Sequence, residues 1–274
     1  SDNAYHVVTG ATGATIDGFT ITGGNADGQV WDGNGGGMLN LGAAPVVTNC
    51  VFTGNAAGVG GGMGNTYGSS PTVIRCTFLD NTAILIASND FAQGGGMYND
   101  SASPTVTDCI FSGNSATGSK SASVRAQGGG MYNDSSSPVV TNCTFSGNSL
   151  MAGSAMVSGT ASAQGNGMYN FYGSSPIVTN CILWENTGFT VFSEISNDSS
   201  TPSVSYSIVK GGYSGTGNLD ADPLFVSAGD PRLASGSPAV DSGNNAALPS
   251  GVTTDLGGDP RIVDGPDTDS TATV

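Results

Sequence analysis

Two aspartates, Asp100 and Asp134, hold the same place in two almost identical stretches, Gly-Gly-Gly-Met-Tyr-Asn-Asp-Ser from Gly94 and again from Gly128. Carboxylates stacked at matching positions of neighbouring units fall near the separation of about 5–9.5 Å that paired-acid cleavage of glycosidic bonds uses. They are therefore the candidate catalytic residues. The competing reading is structural, because Asp in an Asn-Asp-Ser run readily closes a turn on its own backbone. A polysaccharide lyase would add a basic group near these acids. Arg75, Lys120 and Arg125 are on offer, but nothing in the sequence places them beside Asp100. The one His, His6, has no evident partner, so no Ser-His-Asp set can be assembled.

Metal chemistry is narrower still. Hard cations take several oxygen ligands, and Asp220 with Asp222 is the candidate Ca²⁺ pair. No cofactor is required by any motif, and Ca²⁺ is the cation considered for the acids. The five Cys (Cys50, Cys76, Cys109, Cys143 and Cys181) lack the close spacing of a zinc site. Each sits at the same point of a different unit, which reads as a column of buried thiols rather than a disulfide framework.

These residues are placed by a repeat. Met38, Met63, Met97, Met131 and Met168, with Ile195 last, head successive units; Asn, Pro and Cys follow in fixed order. Self-similarity at about 20–50 residues means stacked structural units. In the unit from Gly128, Gly-Met-Tyr-Asn and Val139-Val140-Thr141 read as short strands, with Asp134 to Pro138 as the turn between them. Cys143-Thr144-Phe145 is a third strand, and Asn142 marks a corner because Val140 and Cys143 both face inward. Three short strands per turn and about seven turns predict an all-β chain, a single-stranded parallel β-helix over residues 1–212. Residues 213–274 are expected to form an irregular capping segment packed on it.

The Asn columns, from Asn40 and from Asn55, are expected to suit left-handed corners and to bond coil to coil. In the first coil Phe19 takes the Cys place and Ile21 the Phe place; in the last, Ser207 and Val209 do. A row of Thr48, Thr107, Thr141 and Thr179 faces outward but is interrupted by Ile74, so no regular Thr array of the ice-binding kind is formed.

The repeats, with Gly-Gly-Gly-Met and Cys-Thr-Phe-Ser-Gly-Asn signatures, resemble those of bacterial secreted and surface right-handed β-helix proteins, including the polymorphic outer-membrane-protein type. The end, with Asp222-Pro223-Leu224-Phe225 and Asp255-Leu256-Gly257-Gly258-Asp259-Pro260, is similar to the segment after such β-helices in choice-of-anchor surface proteins. The resemblance implies an extracellular or cell-surface location, and a piece of something longer.

Composition sets limits on partners. The net charge of −15 with six basic residues excludes the basic face a nucleic-acid binder needs. No run of apolar residues is long enough for a transmembrane helix. A monomer is expected, with a polysaccharide or surface glycan as partner. Length variation concentrates at one corner, in segments 82–93, 115–127 and 149–164. Loops grafted on a rigid scaffold carry binding, so Phe91, Gln93, Lys120, Arg125, Gln127 and Gln164 are the candidate ligand-binding residues. The expected function is a noncatalytic module, stalk or adhesin, that binds carbohydrate. The alternative is a polysaccharide lyase or glycoside hydrolase using surface carboxylates, with or without Ca²⁺.

Overall fold

The computed structural model describes residues 4–28, 30–84, 91–118, 125–152, 162–188, 193–227 and 229–262. Three seven-stranded parallel sheets run the length of a solenoid. The first carries the Met column, from Val8–Thr9 through Met97–Asp100 and Met131–Asp134 to Ile195–Asp198. The second carries the Val column, from Thr15–Asp17 to Ser203–Ser205, and the third the Phe column, from Thr20–Thr22 to Ile208–Val209. Each strand pairs in register with its equivalent above and below, so Met97 stacks on Met131 and Phe78 on Phe111. Seven coils result, as the repeat predicts.

Like side chains stack because the register puts identical residues over one another. Phe52, Phe78, Phe111 and Phe145 form a pile with ring centroids 4.6–4.7 Å apart and nearly parallel planes. Met, Val, Cys and Phe columns make one continuous buried core. Each such side chain contributes about 1.5–3 kcal/mol of burial, which lets short strands hold without helices around them. The five Cys are free and buried in that core.

The Gly-Gly-Gly-Met signature has a separate cause at each position. Gly94 and Gly128 turn the corner at φ +65° and +64°. A Cβ on Gly96 would meet Gly130 O at 2.6 Å and Phe111 Cδ1 at 2.9 Å, so only Gly fits between the coils there.

Coils have more than the three strands the sequence predicts. A fourth sheet of six strands, including Thr82–Ile84, Ser115–Gly118 and Ser149–Ala152, follows the Asn corner. A fifth, of three strands, is made by Phe91–Gln93, Arg125–Gln127 and Ser162–Gln164. The three long segments thus leave and return as stacked strands. Between the outgoing and returning sheets lies a second small core of Ala83, Ala92, Ala116, Ala126, Leu150 and Ala163.

Two other expectations need correction. The Asn columns form ladders: Asn40, Asn65, Asn99, Asn133, Asn170 and Asn197 are linked amide to amide at 2.7–2.8 Å. They do not supply the left-handed corners, however. Positive φ falls on Asn49, Arg75, Asp108, Asn142 and Asn180, at the corner between the Val and Phe sheets, and on residues flanking the ladders. The ladder amides are held by bonds on both sides, whereas the corner is a backbone need met by a different column. Phe19 is 60% exposed and does not fill the Cys column; its neighbour Ile21 does occupy the Phe column, opposite Phe52. In the last coil Ser207 Oγ accepts from Cys181 N at 3.0 Å, and Val209 pairs with Leu183, as the repeat implies.

Beyond the last coil the chain closes the open end. Tyr213 packs against the core, and Asn218 accepts from Ser207 N and donates to Val204 O. The segment then runs along the flank. Asn180 and Asn244 exchange two hydrogen bonds, and Arg261 Nη2 lies 3.3 Å from Asp108 Oδ1.

Candidate functional site: an aromatic groove under the returning strands

The Met sheet alternates Met inward, Tyr outward, Asn inward. That alternation stacks Tyr98, Tyr132 and Tyr169 on its outer face, with ring centroids 5.4 and 5.6 Å apart. The returning strands pass over this face. Phe91 and Arg125, opposite one another in register, are exposed, and Tyr132 beneath is 2% exposed. A groove of about 220 Å³ remains, lined by Phe91, Gln93, Arg125, Gln127, Tyr132, Asp134 and Phe171.

Most of the sequence-predicted residues therefore converge. Phe91, Gln93, Arg125 and Gln127 share the groove with Asp134, one of the two candidate acids. Asp100 is directly paired with Asp134 across the strands. Each aspartate accepts at Oδ1 from the hydroxyl of the following serine, Ser101 or Ser135, at 3.0 Å. These bonds tie each carboxylate to the neighbouring hydroxyl rather than to the backbone of the turn, and they leave the second carboxylate oxygen of each outside them. Burial and the charge of Asp100 push the Asp134 carboxyl above its ordinary value, against the Ser135 bond. The tyrosine hydroxyls feel the same field. Burial and then the Asp100 and Asp134 charges raise Tyr98, and Tyr169 is pushed up to about 12 by burial and Asp198, with Arg125 opposing.

Arg125 lies over the Phe91 ring, its Cζ 5.6 Å from the centroid. Gln93, Gln127 and Gln164 form a ladder, Nε2 to Oε1, at 3.0 and 3.4 Å. Their amides bond the returning strands together, so their first task is structural. Lys120 lies outside the described residues. The sequence does not mark the Tyr column or Phe171 as site residues. The signal was the outward position in Met-Tyr-Asn, but nothing in the sequence says which strand passes over it.

The other candidates lie elsewhere. Asp220 and Asp222 are exposed, and each gives a carboxylate oxygen to a backbone amide, of Gly211 and Leu224 respectively. Among the described residues no cluster of three His, Cys, Asp or Glu could hold a metal ion. Arg75 bonds Asn49 at 2.9 Å in the corner column, and His6 Nδ1 is 3.1 Å from Gly35 O. A larger cleft, about 710 Å³, separates the C-terminal segment from the solenoid flank. An ion pair between the buried Asp108 and the partly buried Arg261 crosses it. Among the described residues no helix is long and apolar enough to cross a membrane.

No curated protein and no solved structure matches the chain. The family model described as right handed beta helix region matches residues 3–223, which takes in all seven coils and the closing turn. Parallel stacking in every solenoid sheet agrees with it, and the chain belongs to the right-handed β-helix family.

Proposed function

We propose that this β-helix is a noncatalytic extracellular or cell-surface module, a stalk or adhesin, that binds carbohydrate in the groove under the returning strands. The observation that carries the reading is the convergence of Phe91, Tyr132 and Phe171 with Arg125 and Asp134 in one concavity. Aromatic rings offer apolar faces to the C–H faces of sugars, while a few placed polar groups fix orientation. The scaffold supports this: stacked coils on one side and a ladder-bonded strand layer on the other keep the walls fixed.

A second reading is favoured by one arrangement. Asp100 and Asp134 stack on adjacent coils beside a groove that also holds Arg125. That is the composition a polysaccharide-active lyase or hydrolase needs. Against it, each aspartate is engaged by its own serine and Arg125 is engaged by Phe91.

Titration calorimetry with soluble oligosaccharides separates the two. Binding without new reducing ends or unsaturated products is expected, unchanged by chelator. Phe91→Ala and Phe171→Ala are each expected to weaken binding about tenfold, roughly 1.4 kcal/mol. Depolymerisation abolished by Asp134→Asn would establish the enzyme instead.

A further inference from the structure

The groove has a charge pattern that says which glycans it takes. Asp134 lines it, Asp100 stacks directly on Asp134, and Asp198 follows on the last coil, in register with Phe171. Among the described residues neither Asp100 nor Asp134 has a Lys, Arg or His within ion-pair distance. Arg125 is the one cation lining the groove among those residues, and its guanidinium lies over Phe91 rather than on a carboxylate. The chain as a whole carries −15. The local and the long-range field thus have the same sign.

We infer that the groove selects glycans free of carboxylate and sulfate groups, with Asp100 and Asp134 acting as the residues that reject acidic sugars. The inference rests on the glycan-binding reading above and narrows it. A carboxylate on the ligand entering beside Tyr132 lies within the screening distance of about 8 Å from Asp134 and Asp100. It would also lose water in a half-enclosed site, where like charges repel most strongly. A neutral sugar meets no such penalty. Its hydroxyls donate to the carboxylate oxygens and accept from the Arg125 guanidinium. The upward push on Asp134 from Asp100 is the same repulsion felt inside the protein.

The test uses the full chain and pairs of oligosaccharides of equal length and linkage, one neutral and one with uronic acids. The neutral member is expected to bind at least about tenfold more tightly in low salt. The gap should narrow as salt is raised, and also in Asp100→Asn/Asp134→Asn, which removes the charges with little change in shape. Circular dichroism of the variant confirms that the coils are intact. Equal or tighter binding of the uronate would overturn the selectivity while leaving glycan binding standing. A gap unmoved by both salt and the double substitution would overturn the assignment to these two aspartates. Failure of both members to bind would remove the glycan reading itself, and the selectivity with it.

Discussion

Asn114 makes four hydrogen bonds with one amide. Its Nδ2 donates to Phe78 O and Asn148 Oδ1, and its Oδ1 accepts from the backbone N and Nδ2 of Asn81. All of these groups are buried, so removing the amide strands them without water. Each orphan costs about 1–3 kcal/mol, and Asn114→Ala is expected to destabilise the chain by at least about 3 kcal/mol in urea unfolding. A loss under about 1 kcal/mol would show that the ladder is incidental. This much was legible from sequence, since Asn recurs at one place in successive units. The left-handed corner is legible at Asn142, where the alternation breaks, but the two ladder columns do not share it: Asn fills three columns and only one of them bends the backbone. The groove shows the complementary case. Asp134, Arg125 and Phe91 were each picked out by type, but their meeting depends on a strand passing over another sheet. The outward Tyr column that floors the groove carries no mark in the sequence beyond its alternation.

At the scale of the element, the outgoing and returning strands explain why three long segments looked like loops. Their inward positions are Ala83, Ala92, Ala116, Ala126, Ala163 and only one large residue, Leu150. A strand whose buried side chains are Ala has little hydrophobic signal to alternate with its polar positions. Small residues also allow the two layers to approach closely, and this sets the height of the groove roof. Ala126, fully buried between Ala92 and Ala163, is flanked in sequence by the groove residues Arg125 and Gln127. Ala126→Leu is expected to force the layers apart, costing about 1–3 kcal/mol of stability. It should also weaken oligosaccharide binding by displacing Phe91 and Arg125. Calorimetry and thermal melting read the two effects separately. Unchanged affinity in the overpacked variant would detach the groove from the layer spacing.

Across the whole molecule, coils end where side chains can close them. The ladder from Asn55 finishes at Asn186, whose Nδ2 donates to the buried carboxylate of Glu194. Burial pushes Glu194 up to about 7, against the Asn186 bonds and the charge of Lys210. A raised carboxyl favours the folded state when protonated. Its contribution is present below the ordinary value of 4.5 and lost as pH climbs through about 7. Chemical denaturation should therefore show stability falling across that window by on the order of 3 kcal/mol, with the Glu194 share of the slope absent in Glu194→Gln. An unchanged slope in that variant would place the titration elsewhere. The solenoid's length and coil number could be read from the repeat, but this closing contact could not, because Glu194 has no counterpart in earlier units. The same holds for Asp108, the one acid in its corner column, whose partner Arg261 lies far along the chain. The ladders carry a further meaning. In both Asn ladders and in the Gln ladder the amide-to-amide bonds all run one way, from the N–H of one coil to the side-chain oxygen of the later coil, while in the ladder from Asn55 the second N–H of each amide turns back to a backbone carbonyl of the earlier coil. Their dipoles add instead of cancelling, and the interior of the rod has a positive and a negative pole. Glu194 and the Tyr213 hydroxyl sit at the donor pole, while Asn40 Oδ1 at the other has no partner among the described residues. Coils can be added or lost in the middle with no change at either pole, but the two ends are not interchangeable.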